Sequence, residues 1–524
     1  MTDADPIARA IRSRCCIATL LVGCAANATV SSSVHAQEPF PGIDAYVAKA
    51  MAAWKVPGLS LAIVRNDSVL FTKGYGVQKV GTTTPVDDRT LFEIGSSSKS
   101  FTATLVAMLV SDGKMRWDDP VTAYLPSFRL YDPVASAELT IRDALTHRSG
   151  LSRGELSWMA ADISREEVLR RVRFLKPSWG FRSRWGYQNI MYLAAGEAAA
   201  KVSGSTWEDL IQRRIFDPLE MRSSVPVARQ PDRLSNFASP HGMTHDTVYA
   251  TGHMNIDDMA PAGSIVSTAR DMAQWLRFQL SGGVYRGQRL VSSAALRETH
   301  MPQMLIGGGL PADDSVTVFN TYGMGWIVQD YRHALVWQHG GNTDGMTTAM
   351  GVLPDHKFGV VVLSNMAGAQ LPDLLMRWLF DRELGAPTRD LSAQALARYA
   401  VQRRRVDSLE RVQLAGRPAG AQPPLPLAAF TGTYTDSLYG EGTVGLEGGQ
   451  LFFARGGWKA PLQYWNYGNF RWGPLASAVV PALFVKFDVT PDGRVTGLSF
   501  ALGQDVVNMT KKEAPTDRTT RRPQ

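Results

Sequence analysis

A chain of 524 residues, 44% hydrophobic and 20% charged, has the composition of a globular protein and the length for two or three domains. Its net charge of +7 is spread thinly, thickening only over residues 398–417 and at Lys511, Lys512, Arg518, Arg521 and Arg522, so no nucleic-acid surface is indicated. All three cysteines, Cys15, Cys16 and Cys24, stand near the start.

In chain order, Arg9, Arg12 and Arg14 precede an apolar stretch over 15–30, and Val34-His35-Ala36 follows. A basic region, a short hydrophobic region and a small-x-small triplet predict an export signal over 1–36, which makes the mature protein periplasmic or secreted. Leu21-Val22-Gly23-Cys24 also looks like a lipoprotein box, which would instead leave the protein anchored through a lipid on Cys24. Cleavage after Ala36 removes every cysteine, excluding disulfides, thiolate zinc sites and cysteine nucleophiles. No later apolar run approaches the ~20 residues that span a bilayer, so no transmembrane helix is expected in the mature protein.

A helix is predicted over 41–54, with Ile43, Val47, Met51 and Trp54 on one side, then strands over 59–65 and 69–75 joined at Asn66-Asp67. Another helix should begin at about Ser96 and carry the apolar run 101–110. A mainly helical stretch follows, with helices over 139–146, 165–174, 190–202, 207–216 and 269–280. Strands return over 325–329, 334–338, 347–353 and 359–364, the last two flanking Asp355-His356, before a helix over 372–384.

Strands at both ends with helices between them predict an α+β domain over 38–385, an antiparallel sheet flanked by helices with an inserted all-helical subdomain. The cleft between sheet and helices is the natural place for a site. Residues 386–424 read as a linker, basic and helical at first and then Ala/Gly/Pro-rich. Over 425–513, short aromatic strands alternate with glycine turns (432–434, 442–444, 450–453, 470–472, 483–489, 495–500), which predicts a small all-β barrel. Phe452, Phe453, Trp458, Tyr464, Trp465, Tyr467 and Trp472 fill such a barrel or line a ligand pocket in it. The tail, 514–524, reads as disordered.

Three segments carry chemistry. Ser96-Ser97-Ser98-Lys99 opens the apolar helix, and positions i and i+3 share a face, so the Ser96 hydroxyl and the Lys99 amine point into one cavity, as an activated nucleophile requires. The helix start brings unpaired N–H groups and a positive dipole end to where an oxyanion would form; helix capping is the plainer role for such serines. Tyr187-Gln188-Asn189 reads as a loop that turns a phenol and an amide toward the cleft, or as a packed tyrosine followed by an Asn189 N-cap. Trp337-Gln338-His339-Gly340-Gly341-Asn342 ends a strand, and paired glycines there mark a close backbone approach by a ligand, or only a turn. His241, Met243, His245, His253, Met254 and Asp257 crowd one segment with residue types that suit copper or zinc, but in no standard ligand spacing, so neither a metal nor a cofactor is expected.

The order and spacing of Ser96-x-x-Lys99, Tyr187-x-Asn189 and His339-x-Gly341 resemble the serine β-lactamase and penicillin-binding-protein-like hydrolases. Class C β-lactamases, low-molecular-weight penicillin-binding proteins, family VIII esterases and D-aminopeptidases belong to this group. Phe92-Glu93-Ile94-Gly95-Ser96, Leu145-Thr146-His147-Arg148-Ser149-Gly150-Leu151, Pro261-Ala262-Gly263-Ser264 and Tyr322-Gly323-Met324-Gly325-Trp326 match as well, so the resemblance covers about 41–384. It implies Ser96 as acylated nucleophile, Lys99 as its proton-transfer partner, and Tyr187 as general base or part of a network shared with Lys99. Asn189, His339, Gly340, Gly341 and Asn342 would bind substrate, and the backbone N–H groups of Ser96 and Asn342 would form the oxyanion hole.

The third motif departs from the Lys-Thr-Gly of the β-lactamases. An ordinary histidine is mostly neutral at pH 7, and Gly340 lacks a hydroxyl, so the carboxylate of a β-lactam loses two contacts. His-x-Gly is instead the form met in D-aminopeptidase-like relatives and many esterases. The expectation is therefore an exported serine hydrolase forming an acyl-enzyme with small ester, amide or peptide substrates. Alternatives are β-lactamase or DD-peptidase activity, and, from another class, a non-catalytic penicillin-binding-like sensor or scaffold. The barrel resembles the lipocalin-like domain behind some of these enzymes, and homo-oligomerisation is open. Acyl preference is expected to reside in the loops 152–184 and 301–321.

Overall fold

Two hairpins nearly three hundred residues apart close on each other to form one sheet. The computed structural model describes residues 40–227, 234–244, 246–306, 316–387, 389–475, 477, 480 and 482–513. The segment expected to be an export signal, Cys24 with its alternative lipid anchor, His245 and the tail from 514 lie outside these residues.

The chain runs through α1 (Ile43–Trp54), β1 (Gly58–Arg65), β2 (Ser68–Gly76), α2 (Ser98–Ser111), α3 (Arg165–Arg171), α4 (Asn189–Ser203), α5 (Ala269–Leu280) and β3 (Met304–Leu305). It continues with β4 (Asn320–Tyr322), β5 (Ile327–Tyr331), β6 (Ala334–Asn342), β7 (Thr347–Leu353), β8 (Phe358–Ser364), α6 (Leu371–Glu383) and α7 (Leu391–Ala415). The eight strands form one antiparallel sheet in the order β2-β1-β8-β7-β6-β5-β4-β3. Its seam is β1 on β8, with Leu61 opposite Val362.

Strand residues alternate between faces, and here both faces are covered. Leu61, Ile63, Val360 and Val362 pack with Ile43, Val47, Trp378 and Leu379 of α1 and α6. Ala62, Val64, Val361 and Leu363 belong to the larger core with Met272, Trp275 and Phe278 of α5. That double burial explains why these strands read as unbroken apolar runs. In α2, every residue from Ser98 to Leu109 is buried, so the helix is the axis of the domain rather than an amphipathic cover.

Several elements differ from expectation. Gly95–Ser97 forms a single 3₁₀ turn and the α-helix starts at Ser98, so Ser96 stands on the turn that feeds α2. Asn189 is the first residue of α4, neither loop nor cap; Gln188 caps the helix, its Oε1 accepting from Ile190 N at 2.8 Å. The helix expected over 207–216 is α-helical only at Trp207–Ile211 and then widens into a π turn at Gln212–Phe216. β6 runs four residues beyond its predicted end, because Gly340 and Gly341 still pair with Ala349 and Thr348.

The C-terminal part is a closed barrel of eight antiparallel strands: β9 (Gly432–Asp436), β10 (Gly440–Glu447), β11 (Gln450–Arg455), β12 (Trp458–Asn466), β13 (Asn469–Trp472), β14 (Leu483–Val489), β15 (Val495–Leu502) and β16 (Asp505–Lys511). Pairing of Tyr434 with Lys511 closes it. β12 and β16 were not marked by the aromatic–glycine pattern. Phe453, Trp458, Trp465 and Trp472 are buried, whereas Tyr467 is 88% exposed. Rings fill the interior, Phe453 against Trp472 at 4.8 Å and Phe470 against Phe487 at 5.2 Å, as small barrels require.

The basic helical stretch ahead of the barrel is α7, whose first turn docks on α1 through Trp54 Nε1 donating to Ser392 Oγ at 2.9 Å. Among the described residues, no helix is long and apolar enough to cross a membrane.

Candidate active site

Gly95 adopts φ +52°, and a Cβ there would stand 2.7 Å from Asn342 N; a Cβ on Gly341 would stand 1.9 Å from Ile94 O and 3.0 Å from Ser96 N. These close approaches set the end of β6 against the Ser96 turn, with the backbone of Asn342 next to it. The glycines thus serve contact between two pieces of backbone.

Lys99 is fully buried, and its Nζ donates to Ser96 Oγ at 3.0 Å and to Ala262 O at 2.6 Å. Burial holds its pKa well below the usual lysine range, with the Glu155 charge pulling it part of the way back. The Tyr187 hydroxyl donates to the same Ser96 Oγ at 2.8 Å, and burial pushes that phenol's pKa up. Its ring is bracketed by Lys99 Nζ at 4.9 Å and Arg153 Cζ at 4.8 Å, both to the ring centroid, and His147 packs behind it at 4.3 Å. Serine, amine and phenol therefore meet at one oxygen, although Tyr187 lies 91 residues from Ser96.

A family model described as Beta-lactamase matches residues 43–382. The chain belongs to the beta-lactamase family. A second model, a domain of unknown function (DUF3471), matches residues 416–514. The unguisins hydrolase of Aspergillus violaceofuscus is 28% identical over 436 residues, covering 75% of this chain and 74% of that one. Among solved structures, the octameric penicillin-binding protein homologue of Pyrococcus abyssi aligns with a TM-score of 0.59 at 20% identity, over 89% of this chain and 99% of that chain. A D-stereospecific amidohydrolase of Streptomyces sp. aligns with a TM-score of 0.51 at 21% identity, over 65% and 98%. Both likenesses bear on the fold alone.

The remaining positions of the beta-lactamase-family motifs behave unevenly. Asn189 is buried; its Nδ2 donates to Glu155 Oε1 at 3.0 Å, and its Oδ1 has no partner among the described residues. His339 sits in a polar–aromatic cluster, with Nε2 3.0 Å from the Tyr322 hydroxyl and Nδ1 2.6 Å from Gly340 O. Burial, and next the Lys99 charge, push its pKa down to about 3, so the third motif of this beta-lactamase-family chain carries no cation.

Glu155 and Arg153 stand beside these residues, although the motifs did not mark them. The Glu155 carboxylate joins Asn189 to Arg153 Nε at 2.9 Å, and burial raises its pKa. Both lie inside the 152–184 loop predicted to set preference, but no spacing singles them out. They line a cavity of about 1140 Å³ together with Trp179, Trp185, Tyr187, Leu305 and the β15–β16 turn of the barrel.

The His/Met segment is divided among local partners. His241 accepts from Val80 N at 3.0 Å and contacts Asn365 O at 2.8 Å, while His253 meets Glu93 Oε1 at 2.8 Å. Among the described residues, no three metal-ligating side chains converge.

Proposed function

We propose that this beta-lactamase-family chain is an exported serine hydrolase that acylates Ser96 with ester or amide substrates of peptide character. One observation carries the reading: Ser96 Oγ lies within hydrogen-bond reach of both Lys99 Nζ and Tyr187 Oη. The basic-then-apolar order of residues 1–36 supports export.

Lys99 is the first base. Burial lowers its pKa and raises that of Tyr187, so of the two neighbours the amine is the better placed to take the serine proton. Ser96 Oγ attacks the carbonyl carbon as its proton passes to Lys99, and the oxyanion is held by the N–H groups of Ser96 and Asn342. A donor in such a position is worth about 2.7–4 kcal/mol to the transition state. Tyr187 passes a proton to the leaving amine or alkoxide and regains it from the water that hydrolyses the ester on Ser96, while Lys99 returns its proton to the departing Ser96 oxygen.

Peptide-like substrates are favoured over β-lactams on two grounds. A neutral, occupied His339 offers no cation to a β-lactam carboxylate. The cavity beside Tyr187, with its two tryptophans and Leu305, has room for more than one residue of a peptide.

The test is p-nitrophenyl acetate and D-phenylalanine p-nitroanilide hydrolysis by wild type and Ser96→Ala, with a fluorophosphonate adduct located by mass spectrometry. Turnover by wild type alone, with the adduct on Ser96, is expected. Equal rates for the two proteins would reject the assignment.

A further inference from the structure

The barrel reaches the catalytic machinery through one carboxylate. Asp505, at the first position of β16 and 4% exposed, accepts from Gly154 N at 3.0 Å through Oδ1 and from Leu156 N at 3.4 Å through Oδ2. From the same barrel, Arg455 donates to the carbonyls of Leu156 and Met159. On its other side the loop is held by the cap of α4, where Gln188 Nε2 donates to Ser152 O at 2.5 Å.

Between these grips stand Arg153, whose guanidinium lies over the Tyr187 ring, and Glu155, whose carboxylate orients Asn189. Gly154 itself is at φ +60°, a conformation open to glycine, and it turns its N–H toward the barrel. The Asp505 carboxylate fixes the backbone there by accepting from both Gly154 N and Leu156 N, as a carboxylate does at a helix N-terminus.

We propose that Asp505 is a positioning residue: by fixing the 153–156 backbone it sets Arg153 and Glu155 beside Tyr187 and Asn189, which makes the last hairpin of the barrel a working part of the hydrolase site. The substrate class follows from the geometry. Asn189 is left with a bare, buried acceptor, and Glu155 supplies a second one at the cavity wall, so the group they orient is an N–H donor of an acyl-amino-acid or peptide substrate. A simple acetyl ester has no such donor.

This inference rests on the Ser96 reading, and the experiment separates the two. Burst kinetics with the p-nitrophenyl esters of acetate and of N-acetyl-D-phenylalanine give acylation rates for the full-length wild type, Asp505→Ala, Asp505→Asn, Glu155→Gln and the Asp505→Ala/Glu155→Gln pair. Asp492→Asn, in the exposed β14–β15 turn, is the control. Asp505→Ala is expected to slow acylation by the acetylamino ester tenfold or more, and by a clearly larger factor than acylation by acetate, and to add less than threefold in the Glu155→Gln background. A loss below threefold on the amino ester, an equal loss on both esters, or independent multiplication of the two losses overturns the proposal. If Asp505→Ala does not fold, Asp505→Asn, isosteric and still able to accept through one oxygen, carries the same comparison. Absence of any wild-type adduct on Ser96 would instead sink the nucleophile assignment.

Discussion

The Tyr322 hydroxyl sits 3.0 Å from His339 Nε2, while the other ring nitrogen of His339 reaches Gly340 O, so a neutral imidazole is satisfied at both ends. The residue at the position of the β-lactamase lysine thus has an internal partner for each ring nitrogen.

That arrangement makes a pH prediction. A folded pKa of about 3 lies below the ordinary histidine value of ~6.5, so across that window the unfolded chain binds more protons than the folded one. The stabilisation is complete above pH ~6.5 and is lost as pH falls toward 3, at up to about 1.4 kcal/mol per pH unit. Urea midpoints at pH 7.5, 5.5 and 4.5 should fall less steeply for His339→Gln than for wild type. The kcat profile should have no inflection from this histidine between pH 5 and 8.

Lys99 carries the opposite burden for stability. Burial disfavours the charged form of this amine in the fold, and the unfolded chain carries it as a free lysine, so stability rises with pH up to the ordinary lysine range. Lys99→Met, close in shape and free of the ionisation cost, should be inactive yet more stable than wild type at pH 7, by about 1–4 kcal/mol. Thermal melts alongside ester assays check both halves.

Tyr187→Phe removes a hydroxyl while keeping the ring between Lys99 and Arg153. Proton transfer by a positioned side chain typically contributes about 10²–10⁴-fold, so kcat should fall within that range with little change in melting temperature. An unchanged kcat would remove the phenol from the proton path.

The two glycines of the third motif should part company. Gly341→Ala drives a Cβ into Ile94 O and toward Ser96 N, which must push β6 off the nucleophile turn. A misplacement of about 1 Å there costs on the order of a hundredfold in rate. At Gly340 a Cβ meets Thr348 O at 3.3 Å, a contact that a small strand shift relieves, so Gly340→Ala should keep most activity. Rates and urea midpoints of the two variants decide it.

The serine, lysine and tyrosine were legible because their chemistry demands particular residue types on elements that local pattern could place. Arg153, Glu155 and Asp505 were not, since a charged loop residue looks the same whether solvated or gripped by a strand 350 positions away. The helix start at 189 was misread because glutamine, a poor N-cap by preference, is held at that position by His147 and Ser152 O. β16 had a signal: Val507 and Met509 alternate with exposed neighbours, a period of two without the aromatic residues that marked the other strands. β12 was hidden by Pro461 and Lys459.

The barrel's seam with the catalytic domain leaves no play. A Cβ on Gly456 would fall 1.5 Å from Ala160 O, and Arg455, 2% exposed and with its pKa pressed down to about 10 by burial, is spent on backbone carbonyls across the joint. Two bodies joined so tightly do not flex at a hinge. They should denature in one calorimetric transition, and a protease nick in the 417–424 connector should yield two fragments that still travel together through a sizing column.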